Sequence, residues 1–104
     1  MAYEESSGDK KLRLQTELGV KHQRLAQKYA EASRPEQAVE AFEKALEYLP
    51  DSAAIYHNYA VLLAQYREFE RARTLLQRAL AIEPGSKPTQ EALRMVEESL
   101  SQRP

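Results

Sequence analysis

Apolar and small residues recur at helical spacing in five blocks along the chain, and each block ends at a polar or proline-bearing break. The first block runs through Leu14, Leu18, Leu25 and Tyr29 toward Ala32, with Asp9 in position to cap it and Met1–Gly8 read as a flexible tail. Pro35 then begins a second helix over about 35–49, because proline is tolerated in a first turn and disfavoured in an interior. Ser33-Arg34-Pro35-Glu36 has the spacing of a capping box. Pro50-Asp51-Ser52 closes that helix and caps a third, AAIYHNYAVLLAQ, which reaches about Tyr66. A fourth covers about 69–83, after which Pro84-Gly85-Ser86 offers Gly85 for a left-handed turn and Ser86 for a new cap. The fifth, about 88–101, sets Ala92, Leu93, Val96 and Leu100 against Glu91, Arg94, Glu97 and Glu98, the pattern of a terminal lid. No strand signal occurs, so the predicted fold is all-α, a stack of antiparallel helix hairpins.

The breaks repeat. KALEYLPDS and RALAIEPGS place Ala45 and Ala79, Leu46 and Leu80, Pro50 and Pro84, and Ser52 and Ser86 at a constant separation of 34 residues. Sliding 19–52 onto 53–86 without a gap also matches Ala26 with Ala60, Ala30 with Ala64, Glu36 with Glu70 and Ala38 with Ala72. Each hairpin would expose one apolar face by itself, so units of this period must stack. Small residues at 26, 38 and 45, and again at 60, 72 and 79, allow helices to approach to about 8–10 Å. Tyr29, Phe42, Leu46, Tyr56, Tyr59, Leu63, Leu76 and Leu80 are the candidates to fill the wider gaps.

These residues resemble the tetratricopeptide repeat family, whose unit is a helix-turn-helix of about 34 residues closed by proline. The matching positions are His22, Leu25, Ala26, Tyr29, Pro35, Ala38, Phe42, Ala45 and Pro50 in the first unit. In the second they are Tyr56, Tyr59, Ala60, Leu63, Phe69, Ala72, Leu76, Ala79 and Pro84. The resemblance implies a right-handed superhelical stack of two units, 19–52 and 53–86, within one domain over 9–104, with the helix at 88–101 as its cap. His22 stands where the family prefers tryptophan and Pro35 where it prefers an aromatic, so the first unit is expected to pack more loosely. The pattern before Gly19 reads as one extended helix kinked at that glycine. The alternative is a separate element at KKLRLQT, the remnant of an earlier repeat.

Composition narrows the function. The chain has 104 residues, a net charge of -1 and no cysteine, which bounds it to one soluble domain with neither a disulfide framework nor a thiolate nucleophile. It lacks the apolar run that a membrane span needs and the h-region of a secretory signal, so a cytoplasmic location is expected. Nucleic acid is not an expected partner without a clear excess of cations on one face. The charge is uneven, however: Lys10, Lys11, Arg13, Lys21, Arg24 and Lys28 make the first helix basic, and Glu36, Glu40, Glu43 and Glu47 form an acidic stripe on the second. His22 and His57 have no neighbours that would complete a metal site, no glycine-rich phosphate loop occurs, and no nucleophile is spaced from a base. No cofactor and no catalysis are expected.

The resemblance implies a protein–protein interaction module, an adaptor or scaffold whose concave groove receives a peptide or protein segment. First helices line that groove in this family, which nominates Gln23, Arg24, Gln27, Glu31, His57, Asn58, Val61 and Gln65, with Met95 from the lid. Asn58 and Gln27 would pair with peptide backbone, Arg24 would choose an acidic neighbour, and Val61 and Met95 would give apolar contact. The family's clamp for acidic chaperone C-terminal tails uses Lys, Asn, Asn, Lys and Arg at sites that carry Gln23, Gln27, Asn58, Pro88 and Ala92 here. Only Asn58 fits, so such tails are not expected to bind. The alternative function is a self-assembling element that forms a homo-oligomer through its repeat ends, with Leu12, Leu14 and Leu18 nearest the contact.

Overall fold

The computed structural model describes residues 6–102, and among these it has five helices and no strand: α1 (Ser7–Glu31), α2 (Pro35–Tyr48), α3 (Ala53–Gln65), α4 (Phe69–Ile82) and α5 (Lys87–Ser101). The expected boundaries of α2 to α5 hold to within one residue, and α1 begins three residues earlier than expected. At the start, Ser6 rather than Asp9 is the cap, its Oγ accepting from the Asp9 N–H at 3.1 Å. Asp9 therefore sits inside the first turn, where its charge suits the helix dipole. Of the tail expected over Met1–Gly8, Ser7 and Gly8 belong to α1, Ser6 is its cap, and residues 1–5 lie outside those described. The chain divides between Pro50 and Asp51 into two compact units.

The first unit is the hairpin of α1 and α2. α1 runs unbroken through Gly19, so the extended-helix reading holds and the separate element is excluded. The reason for glycine is contact: a Cβ built there would fall on Leu49, whose Cγ would lie 2.5 Å away. α1 then ends in a Schellman turn, in which Arg34 N–H bonds Tyr29 O at 2.9 Å and Ser33 N–H bonds Ala30 O at 3.1 Å. Ser33 is the left-handed residue of that turn, at φ 59°. It is consequently not a cap for α2, and the expected capping box is replaced by an uncapped N-terminus at Arg34, with Pro35 supplying a first turn that needs no donor.

The second unit pairs α3 with α4 and adds α5. Its hairpin turn repeats the first, with Arg67 at φ 64° and Glu68 N–H bonded to Leu63 O at 2.9 Å. Ser52 caps α3 through the Ile55 N–H at 3.3 Å. Gly85 does not adopt the left-handed conformation expected of it, since no described glycine has positive φ. The chain instead leaves α4 through Glu83 at φ -127° and ψ 82°, outside the α region that proline disfavours in the residue before it.

Packing follows the period. Ala26, Ala38, Ala45, Ala60, Ala72 and Ala79 are no more than 1% exposed, and Phe42 and Leu76 fill equivalent places at 1% each. His22 packs flat on Tyr48, with centroids 5.7 Å apart, as its counterpart Tyr56 receives the Arg78 guanidinium at 5.9 Å. Tyr29, Leu46, Tyr56 and Leu80 are only half-buried, whereas Ile55 and Leu62, absent from the expected filling, are buried. The first unit closes less apolar surface: Leu25 is 38% exposed where Tyr59 is 4%.

Two substitutions test these local readings. Alanine is a better helix former than glycine by about 1 kcal/mol, yet overpacking costs about 1–3 kcal/mol. Gly19→Ala should therefore lower the unfolding free energy by about 1 kcal/mol in urea titration, and the same change in a Leu49→Ala background should raise it. Ser33→Gly, which relieves a left-handed non-glycine residue, should stabilise by about 1 kcal/mol.

Candidate partner-binding groove

Asn58, Val61 and Gln65 recur at i, i+3 and i+7 on α3, so they form one stripe along that helix. α5 crosses beside it and contributes Ala92, Met95, Val96 and Ser99 to a groove of about 340 Å³ that also takes in Ala60, Val61, Ala64 and Gln65. Phe69 and Leu76 of α4 complete its wall. Met95 is 57% exposed at the rim and Val96 is buried beneath it. The Ser99 hydroxyl donates to Met95 O of its own helix at 3.0 Å, leaving the Gln65 amide as the polar group of this lining. The groove is thus an apolar slot with one amide, and no lysine or arginine lines it.

What holds α5 against α3 is partly polar. The His57 Nδ1 lies 3.0 Å from Thr89 Oγ1, which lies 3.0 Å from Ser86 Oγ. Thr89 is buried at 5% exposure, at the place the period assigns to Ile55. Ser86, the expected cap of α5, makes no bond to the backbone N–H groups of the first turn because its hydroxyl is engaged with Thr89. Gln90 Nε2 donates to Pro84 O at 2.7 Å and fastens the preceding loop. On the outer side, Arg94 bonds Glu91 and Glu98. The hydrogen bond from Arg94 holds the Glu91 carboxyl below its usual range, but these groups are exposed and contribute little to the attachment.

Of the nine nominated residues, Val61, Gln65 and Met95 come together in this groove. Asn58 is half-buried on the same stripe. His57 is committed to Thr89 and serves the attachment of α5. Gln23, Arg24, Gln27 and Glu31 belong to α1 of the first unit, where Gln23 is half-buried and the others are exposed. Arg24 borders a shallow groove along α1 with Val20, Lys21, Leu25 and Lys28. Ala64, Phe69 and Ser99 were not anticipated. Ala64 and Phe69 fell to packing in the periodic reading, and nothing in the sequence distinguishes a serine that faces a groove from one in water.

Residues 29–94 match the Tetratricopeptide repeat family. The chain belongs to the tetratricopeptide repeat family. That match spans the second helix-turn-helix completely and reaches into α5. No curated protein matches the chain. Tetratricopeptide repeats are generally protein–protein interaction modules and typically not enzymes. No helix of the described residues is long and apolar enough to cross a membrane, and among them no group of three His, Asp or Glu side chains could hold a metal ion.

The His57–Thr89–Ser86 chain predicts the behaviour of α5. Thr89→Val keeps the shape but strands two polar groups, which costs about 1–3 kcal/mol. Amides of α5 should then exchange faster with solvent while those of α1 and α2 keep their rates. A double-mutant cycle with His57→Leu should show coupling of about 1 kcal/mol.

Proposed function

We infer that this tetratricopeptide repeat protein is an adaptor that holds a short segment of another protein in the groove between α3 and α5. The observation that carries the reading is the convergence of Val61 and Met95, both exposed apolar side chains, on one slot beside the Gln65 amide. An apolar side chain of the segment enters that slot and removes Val61 and Met95 from water. Asn58 and Gln65, on one stripe, offer amide donors and acceptors to the segment's backbone, which fits an extended conformation.

The same lining disfavours an acidic chaperone tail. Several carboxylates would lose water without gaining a charge-assisted bond, because the slot supplies no cation. A cytoplasmic setting accords with this reading, on the strength of a sequence without cysteine.

The test is affinity purification of partners with the wild-type protein, followed by titration of the captured segment against variants. Asn58→Ala should weaken binding by about 1–3 kcal/mol, and Met95→Asp should abolish it at micromolar concentration, with circular dichroism unchanged in both. Binding that survives Met95→Asp would move the interaction off the groove.

A further inference from the structure

α1 carries a second surface that the groove reading leaves unused. Gly19 packs at the Leu49 end of α2, so the part of α1 before it continues past that end by about three turns, or roughly 18 Å. Lys11, Leu14, Leu18, Lys21, Leu25 and Lys28 follow one another at separations of 3, 4, 3, 4 and 3, the heptad spacing of a seam that meets a second helix. All six are exposed; Leu14 and Leu18 stand at 41% and 36%. A bare stretch of helix this short is marginal in water, and a leucine seam along it leaves apolar area uncovered.

The internal period says what does not cover it. The places of Lys21 and Lys28 are taken in α3 by Ile55 and Leu62, and in α5 by Thr89 and Val96, and all four of those are buried. Where the repeat puts closed, uncharged positions, α1 puts two ammonium groups, so the seam is not built to receive another repeat of this kind. A second α1 fits no better. Parallel pairing would set each lysine on its own copy, and antiparallel pairing about Leu18 and Lys21 would put Lys11 opposite Lys28. Like charges so placed repel. α1 is also basic overall: Lys10, Lys11, Arg13, Lys21, Arg24 and Lys28 outnumber Asp9, Glu17 and Glu31, and Glu17 is already met by Arg13 at 3.1 Å.

We propose that this seam of α1 docks an acidic amphipathic helix from a partner protein, with leucine-type residues on Leu14, Leu18 and Leu25 and carboxylates opposite Lys11, Lys21 and Lys28. The lysine stems lie along the apolar edge of the contact while their ammonium groups meet the carboxylates at its rim. The site is separate from the groove and does not depend on it.

The probe is a synthetic three-heptad helix with leucine and glutamate in the complementary register, beside its counterpart with lysine for glutamate. The acidic peptide should bind and shift amide resonances of residues 11–28, and the basic one should not. Leu14→Ser/Leu18→Ser should weaken binding by about tenfold or more, equivalent to about 1.4 kcal/mol. Lys21→Glu should move preference toward the basic peptide, a reversal that mere loss of structure would not produce. Equal binding of both peptides, shifts centred on α3 and α5, or unchanged affinity in the variants would overturn the proposal. So would self-association of the wild type that the two serines abolish, or binding to anionic lipid vesicles but not to the acidic peptide.

Discussion

The structure depends on how closely two helices can approach. Ala26 against Ala38 and Ala45, and Ala60 against Ala72 and Ala79, leave almost no side chain at the crossing points and are themselves sealed from water. Gly19 takes the same logic to its limit, since even a methyl group there would collide with Leu49. With the backbones that near, Phe42 and Leu76 fill equivalent places in the two hairpins, and Ile55, Tyr59, Leu62 and Leu63 are buried with Leu76 in the second. The 34-residue period is the length of chain needed to make two such helices, reverse between them and leave. Everything else, including where the groove lies, follows from keeping that spacing.

α5 keeps the period on its buried face and departs from it at the position where the two hairpins carry a small residue. At the place of Ala26 and Ala60 it carries Arg94, exposed and paired with Glu91 and Glu98. A helix with that face needs no second helix to complete it. Its other face keeps the repeat's register, with Thr89 and Val96 buried. α5 therefore presents an exposed, charged face on one side and walls a groove on the other. The hydroxyl of Thr89 turns a position that could have been plain packing into a hydrogen-bonded attachment to His57. Because that bond lies at the N-terminal end of α5 and Met95 two turns further on, the setting of the helix and the width of the slot are coupled.

Most of the architecture was legible because each helix announces its limits. Prolines at 35, 50 and 84, serines at 52 and 86, and small residues at a fixed period carry boundary and packing information in residue type alone. The misreadings share a physical origin. Ser33 resembled a cap because serine often is one, but the preceding helix took it for a Schellman turn, and neither serine nor arginine advertises a left-handed conformation. Gly85 resembled that turn and was not needed for it. His57 was expected to face a groove, yet its partner is a threonine 32 residues away, which no local pattern encodes. The groove was half legible: helical spacing puts Asn58, Val61 and Gln65 in one line, while the slot beside Met95 requires knowing where α5 crosses.

The two proposed contacts would discriminate by different physics. No lysine or arginine lines the α3–α5 groove, so the binding proposed there would depend on the shape of an apolar side chain and on amide hydrogen bonds, and added salt should leave it nearly unchanged. Along α1 the proposed contact would take its area from the leucines and its selectivity from the lysines, and interactions between exposed charges weaken as the screening length falls from about 10 Å at 0.1 M salt to about 3 Å at 1 M. Ionic strength thus separates the two contacts without mutation. The proposed extended segment would meet Val61, Gln65 and Met95, and the proposed acidic helix Leu14, Leu18 and Lys21, so substitutions on one helix face test one contact without touching the residues of the other.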